Sequence, residues 1–386
     1  MKLTKKLLGV AAIFAVIGFL ALPLTGCPTV DDGDKTAAVP EDTSSIPTAG
    51  DFDIDNLTQE VANIAAVIIT PKDGKSKGTI TIYYDGSKTL PTEIGAYPVT
   101  FDVAASDGWK AANGLSAGTL NIVGHIFKNI DELKTWLSEQ GENDKDHPYL
   151  IGLDVNDISP LREMLNNEPK KYVSIDLCSD QITTIPNNLF YGIAAPRGCA
   201  TLTGISIPNS VTSIGELAFN DCASLTSINI PNNVTIIGSQ AFSNSGLTTI
   251  SVDSANTAYS SDNGVLYNKD KTTLILYPQR KADVSFTIPS SVTSIGDMAF
   301  YRCTNGLTIT IPSSVANIGE DAFTRAYVTS VTFQGTISLD NFAENTFDTS
   351  GGNSDLRDKF YATDSTNGTP GTYTRVDRFS LEWTKQ

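Results

Sequence analysis

The chain carries few residues able to do covalent or metal chemistry. Cys27 ends the run Leu24-Thr25-Gly26-Cys27, where small residues leave room for a peptidase and the freed thiol can take a lipid. The other cysteines, Cys178, Cys199, Cys222 and Cys303, form no C-x-x-C pair and so give no zinc or redox signature. A Cys178–Cys199 disulfide is open to an exported protein. There are only two histidines, His125 and His147, so any Ser-His-Asp or Cys-His arrangement would have to be assembled around one of them. Glu142, Asp144, Asp146 and His147 could be read as a cation loop, but they lack the glycine and terminal glutamate of an EF-hand. A solvated acidic loop is the simpler reading. No phosphate-binding glycine loop occurs, and paired carboxylates of the glycosidase kind cannot be recognised from sequence. The expectation is a protein that is not an enzyme and holds no cofactor and no metal.

The elements that present these residues begin with residues 1–26, where Lys2, Lys5 and Lys6 precede an apolar run from Leu7 to Leu22. About 16 apolar residues are short of the roughly 20 that span a bilayer, so the segment reads as a lipoprotein signal peptide rather than a transmembrane helix. The chain would then be held to the membrane by lipid on Cys27, where more than one acyl chain gives stable anchoring. Residues 27–50 are rich in Pro, Thr, Ser, Asp and Ala and poor in large apolar side chains, as a disordered tether would be. Fully stretched at about 3.3 Å per residue, such a tether reaches some 75 Å at most.

Residues 51–124 alternate strand-like runs (52–57, 66–70, 79–84, 97–103 and 119–123) with turn clusters such as Pro71-Lys72-Asp73-Gly74. Short strands at this spacing predict a small immunoglobulin-like β-sandwich. Trp109 is expected to pack at its core or edge. Residues 125–172 read as helical: Asn129 can cap 130–140, and Pro160 can open a second short helix to Asn166. They would serve as a linker or N-terminal cap, because a stacked array exposes apolar core at its ends.

From 173 to 348 the chain repeats itself. Copies of I-P-x-x-V-x-x-I-G-x-x-A-F start at Ile207, Ile230, Ile288 and Ile311, 23 residues apart within each pair. A fixed period of this size predicts a solenoid whose coils each contribute one slice of core and stack their strands about 4.8 Å apart in a parallel sheet. Proline ends each strand because it lacks the amide hydrogen a ladder needs. Cys222 and Cys303 fall at the same place in two copies, pointing inward as small apolar groups too far apart to bond. An insert at 253–283 interrupts the array, with a hairpin expected at Lys269-Asp270. Phe342 and Phe347 look like a last coil, and 349–386 a C-terminal cap made of two strands, 371–374 and 381–384. The fold class is mainly β with short helices, a small β-sandwich followed by a solenoid with a parallel sheet, which the resemblance of its repeat unit implies to be a leucine-rich repeat solenoid.

The unit I-P-x-x-V-x-x-I-G-x-x-A-F-x-x-C-x-x-L-x-x-I, matched at every position by 207–230, resembles the BspA-type leucine-rich repeat of bacterial surface proteins from spirochaetes and Bacteroides relatives. The tail resembles terminal segments of treponemal lipoproteins with these repeats. Gly95-Ala96-Tyr97-Pro98-Val99-Thr100-Phe101 is similar to a strand of small bacterial immunoglobulin-like modules. The resemblance implies adhesion, with host extracellular matrix or other bacterial surface proteins as the partners.

Removing residues 1–26 leaves 24 basic against 43 acidic residues, a net charge of about −19, which argues against nucleic acid and heparin-like partners. The outward strand positions are Ser206, Asn229, Ser251, Thr287, Thr310 and Thr332, with Gly204, Ser227, Thr249, Ser285, Thr308 and Ser330 beside them. They form either a ligand platform or simply a soluble strand face. Tyr259, Tyr267 and Tyr277 of the insert are the candidate aromatic anchors, unless that hairpin packs on the array instead. The expectation is a lipid-anchored, adhesin-like binding protein at the outer membrane or cell surface. The alternative is a periplasm-facing structural or carbohydrate-binding lipoprotein.

Overall fold

In each repeat, small polar residues alternate with β-branched ones before the proline, and the strand Ser227–Ile230 buries Ile228 and Ile230 while Ser227 and Asn229 stay exposed. It pairs in parallel with Thr249–Val252, in the register Asn229↔Ser251. Farther on, Ser285–Thr287, Leu307–Ile311 and Val328–Phe333 form a second parallel ladder that aligns Thr287, Thr310 and Thr332. After each proline the chain turns and adds a two-residue strand to another ladder, as Ser213–Ile214 pairs with Ile236–Ile237 and Ser294–Ile295 with Asn317–Ile318. These features come from a computed structural model that describes residues 44–167, 171–191, 199–347, 354–377 and 379–386. The leader, Cys27 and most of the tether lie outside the described residues. Among the described residues, no helix is long and apolar enough to cross a membrane.

Glycine at the repeat's I-G step serves close approach. A Cβ on Gly238 would sit 2.4 Å from the Glu216 nitrogen of the preceding coil. The left-handed backbone of the bend falls two residues later, at Leu217, Gln240, Met298 and Asp321, with φ between 53° and 55°. Glycine is therefore needed at this step because a side chain has no room, and not for a left-handed backbone.

The phenylalanines stack in columns through the core. Phe190, Phe219 and Phe242 lie 5.3 and 5.6 Å apart between ring centres, and Tyr277, Phe300, Phe323 and Phe347 follow at 5.0, 4.6 and 4.5 Å. Around each ring pack the repeat's Ile, Val and Ala, each fully buried aliphatic side chain being worth about 1.5–3 kcal/mol. Cys222 and Cys303 are buried beside the rings. All four described cysteines are free thiols, Cys178 and Cys199 included, and burial pushes Cys178 up to about 12 and Cys199 to about 11.

The insert is a three-stranded meander. Tyr259–Asp262 turns at Asn263-Gly264 into antiparallel Val265–Asn268, which turns again around residue 270 into Thr273–Leu276. That third strand then joins the array in parallel with Ser294–Ile295, so the insert replaces a coil instead of bulging from one.

Residues 125–172 are not simply helical. His125–Phe127 and Tyr149–Leu153 are parallel strands that continue the sheet through Val173–Leu177 to Leu202–Ser206. Helix α1 (Ile130–Glu139) and helix α2 (Leu161–Asn167) lie on the crossovers. The Asn129 side chain accepts from the Glu132 amide as its cap, and Leu133 and Leu137 of α1 are buried in the core that runs on into the repeats. Helix α2 begins one residue after Pro160. The strands were missed because His125–Phe127 is only three residues long and Tyr149–Leu153 is a continuous apolar run, without the period-two signal of a half-buried strand.

Residues 52–123 form a four-stranded sheet, Thr58–Glu60, Ala112–Val123, Gly95–Val103 and Ile80–Tyr84 in that order, with Phe52–Asp55 and Ile68–Pro71 as a second pair. Phe52 and Phe101 meet edge to face at 5.1 Å in its core. Trp109 is partly buried at the edge, under the Lys75 ammonium. This β-unit packs against the first coils: the Thr58 hydroxyl donates to Asp176 Oδ2 at 2.6 Å, and the Gly124 amide to the Leu150 carbonyl at 3.2 Å.

At the other end, Gly371–Thr374 adds antiparallel to Val328–Phe333, and Thr384–Lys385 adds to it in turn. Helix α3 (Leu356–Tyr361) sets Phe360 against Phe333, with ring centres 4.4 Å apart. Buried Arg375 donates to the carbonyls of Val328 and Ala326 and stacks over Trp383.

Candidate functional site

The outward strand positions do align. In the C-terminal ladder Thr287, Thr310 and Thr332 run in one column and Ser285, Thr308 and Ser330 in the next. The tail extends both, since Thr372 pairs with Thr332 and Thr374 with Ser330. The Thr332 and Thr372 hydroxyls are 2.9 Å apart. Thr372 and Thr374 were not among the expected face residues, although Gly371-Thr372-Tyr373-Thr374 has the same alternation. What sequence could not supply was the antiparallel register placing them beside Thr332. In the middle of the array the Ser251 hydroxyl donates to Asn229 Oδ1 at 2.9 Å. The face is an uncharged lattice of hydroxyls and amides that can donate and accept hydrogen bonds.

It is not continuous. The turn of the insert lies over Thr249: the Ile250 amide donates to the Gly264 carbonyl at 2.9 Å, and a Cβ on Gly264 would meet Thr249 Oγ1 at 2.6 Å. Ser227, Asn229, Thr249 and Ser251 are thereby set apart from the C-terminal columns. At the N-terminal end Ser206 is partly covered, within 3.5 Å of the Asn121 amide of the β-unit. Its register neighbour Asp176 is buried against Thr58, and burial pushes its carboxyl above the usual aspartate range.

The insert tyrosines do not gather into an anchor patch. Tyr267 and Tyr277 are each 1 % exposed, and Tyr277 takes the place of the repeat's phenylalanine, stacked on Phe300. Burial raises both phenols. Tyr259 is partly buried, its hydroxyl oxygen accepting from the Ile237 amide at 3.1 Å. Tyr277 stacks in the phenylalanine column and Tyr267 is buried in the same core, so as ligand-contacting residues both are corrected to core, while Tyr259 packs partly buried against the array.

The histidines sit apart from the face. His125 contacts Glu60 at 3.0 Å, and His147 contacts Asp144 at 2.9 Å in an exposed loop, where that hydrogen bond holds the Asp144 carboxyl below its usual range. No group of three or more His, Cys, Asp or Glu suited to a metal ion occurs among the described residues.

Stacked coils with a parallel strand, a turn and a buried phenylalanine in each define a leucine-rich repeat solenoid. Six copies of the BspA type leucine rich repeat region are matched over residues 183–282 and 279–357, so this array is built of BspA-type leucine-rich repeats. Among solved structures it is similar to the pneumococcal vaccine antigen PcpA, at 17% identity over 56% of this chain and 57% of that one, with a TM-score of 0.36. It is also similar to a leucine rich cell surface protein of Faecalibacterium prausnitzii, at 22% identity over 60% and 67% of the two chains, TM-score 0.36. A leucine-rich repeat protein of Bacteroides ovatus matches at 19% identity over 68% and 72%, TM-score 0.29. The chain thus spans little more than half of the solved PcpA chain. No curated protein sequence matches it.

Proposed function

We propose that this protein is a lipid-anchored, adhesin-like binding protein of the cell surface, acylated on Cys27, that meets host matrix or other bacterial surface proteins through its strand face. The observation that carries the reading is the pair of uncharged columns, Thr287, Thr310, Thr332 and Thr372 beside Ser285, Thr308, Ser330 and Thr374, held in register on the array. A rigid lattice of hydroxyls offers hydrogen bonds at fixed spacing with little ordering cost on binding.

Protease treatment of intact cells, beside a periplasmic control, tests the address. Loss of the repeat array with the control intact is expected, and survival until lysis would refute surface display. Metabolic labelling with a radioactive fatty acid should mark the native protein and fail on Cys27→Ala. Binding to immobilised matrix proteins should fall about tenfold or more in Thr308→Arg, because a charge placed in a hydroxyl lattice is left unpaired against a partner shaped for it. Undiminished binding would remove the strand face from the proposal.

A further inference from the structure

The second residue after each stacked ring forms a column of its own. It reads Asp221, Asn244, Gln279, Arg302 and Arg325, from two residues after Phe219, Phe242, Tyr277, Phe300 and Phe323. Backbone hydrogen bonds tie these turns together: Asp221 donates to the Ser243 carbonyl at 3.0 Å and Arg302 to the Thr324 carbonyl at 3.1 Å. The side chains change from acidic through neutral to basic along the column. At its N-terminal end the Asn244 amide is engaged by Asp221.

Between Asn244 and Arg325 the turns border a half-open pocket of about 350 Å³, lined by Gln279, Arg280, Arg302, Thr304, Arg325 and Tyr327, with Phe379 of the tail also against it. None of its lining residues is acidic. Arg302 lies over the Tyr301 ring at 5.4 Å, and among the described residues no carboxylate pairs with Arg280, Arg302 or Arg325. Three guanidinium groups without a carboxylate partner among the described residues thus line one pocket in a chain of net charge −16.

Gln279 gives a second, independent indication. It is 5 % exposed, and its side-chain Nε2 has no hydrogen-bond partner among the described residues. Its backbone carbonyl, by contrast, accepts from both the amide and the hydroxyl of Thr304, at 3.1 and 3.2 Å. A buried donor without an acceptor opposes folding, so an amide held in this way calls for an acceptor in the cavity. Arg302 and Arg325 also have left-handed backbones, φ 57° and 58°, as do Asp221 and Asn244 at the equivalent turns. Asp and Asn tolerate that conformation better than arginine, so local backbone preference does not explain the arginines.

We propose that this cavity binds a sugar acid, the carboxylate-bearing end of an acidic glycan. Arg302 and Arg325, one coil apart, present planar forks suited to a carboxylate. Gln279, Thr304 and Asn244 supply the neutral donors and acceptors that sugar hydroxyls need, and the rings of Tyr327 and Phe379 give apolar surface for the face of a pyranose. The volume falls at the small end of ligand pockets, suiting a terminal sugar better than a long polymer. The acidic surface repels polyanions from a distance, but screening confines that field to about 10 Å or less, while the carboxylate contact is made inside the pocket. The site is separate from the strand face and stands or falls without it.

Calorimetric titration of the full chain with glucuronic acid tests the proposal, with glucose, sodium acetate and tri-glutamate as comparison probes. The double variant R302N/R325N places at both turns the residue found at 244, so its urea midpoint should be unchanged or higher. Saturable binding of glucuronic acid is expected, with half-saturation near about 1 mM or below, weakened about tenfold or more in the double variant. Glucose and acetate, each lacking half of the recognised chemistry, should bind more weakly. Absence of saturable binding, or binding undiminished in a folded R302N/R325N, would overturn the site. Tighter binding of tri-glutamate than of glucuronic acid would overturn the sugar in favour of an acidic peptide.

Discussion

Replacing Asp176 tests how the N-terminal β-unit is joined to the array. The carboxylate sits at an outward strand position, 6 % exposed, and accepts from the Thr58 hydroxyl at 2.6 Å, with Ser206 and Asn121 as further partners. Its carboxyl is raised above the usual aspartate range, and burial is the largest cause. A group whose folded pKa is raised contributes its stability fully below the unfolded pKa and loses it as pH rises through the folded value. Wild-type protein therefore carries a desolvation penalty at neutral pH that is absent in acid. Asp176→Asn keeps an acceptor for Thr58 and a donor for Ser206 but cannot ionise. It should match wild type within about 1 kcal/mol near pH 4, then gain on it by up to about 1.4 kcal/mol per pH unit until the folded pKa is passed. Asp176→Ala leaves Thr58 without its acceptor and should cost about 1–3 kcal/mol even in acid. Urea unfolding of the three proteins between about pH 4 and pH 7 measures both effects, and hydrogen exchange at Thr58–Glu60 localises them. If Asp176→Asn were as unstable as Asp176→Ala at neutral pH, with no pH dependence between them, an ionised and favourable Asp176 would be required and the reasoning would fail.

Phe323 stacks between Phe300 and Phe347 and is 1 % exposed, so Phe323→Ala should cost about 3–5 kcal/mol in urea unfolding, and Phe323→Leu, which keeps most of the volume, clearly less. Equal losses would mean that stacked rings add nothing beyond volume. Gly264 has φ +78° and no room for a Cβ beside Thr249, so Gly264→Ala should lift the insert turn and speed hydrogen exchange of the Ile250 amide, with a cost of about 1–3 kcal/mol. Exchange at Ile250 unchanged from wild type would show that the turn does not depend on this contact.

The array was legible because its information is periodic. Each Ile-Pro, Ile-Gly and Ala-Phe pair recurs at 23 residues between adjacent copies on either side of the insert, and a coil that cannot bury its own apolar face has to stack. What stayed hidden lacks a period. Tyr267 and Tyr277 look like surface residues between lysines and aspartates, and nothing local reveals that Tyr277 completes a column of phenylalanines, because the insert reaches that slot by a shorter path than the repeat does. Ser206 reads like Asn229 or Thr287, yet it is partly covered by Asn121, 85 residues away in sequence. The start of the array at His125 rather than Val173 was concealed by strands too short, or too uniformly apolar, to alternate. Gln279 and Arg302 belong to one column only once Tyr277 and Phe300 are seen to stack.

The ends of the array bear on how a partner can bind. A solenoid sheet normally offers two edges to which an extended peptide could add as a further strand. Here the N-terminal edge is occupied, because the Ile126 amide of strand His125–Phe127 donates to Glu60 Oε1 at 2.8 Å, and Glu60 belongs to the β-unit. The C-terminal edge is taken by Gly371–Thr374 and finished by the two-residue strand Thr384–Lys385, too short and too close to a lysine to template another chain. At both ends of the array a partner of the strand face is therefore left with side chains, and in the C-terminal columns those are Ser and Thr. Tight interfaces draw on aromatic and arginine anchors, so a partner meeting this face has to bring them itself and set them between the hydroxyl columns.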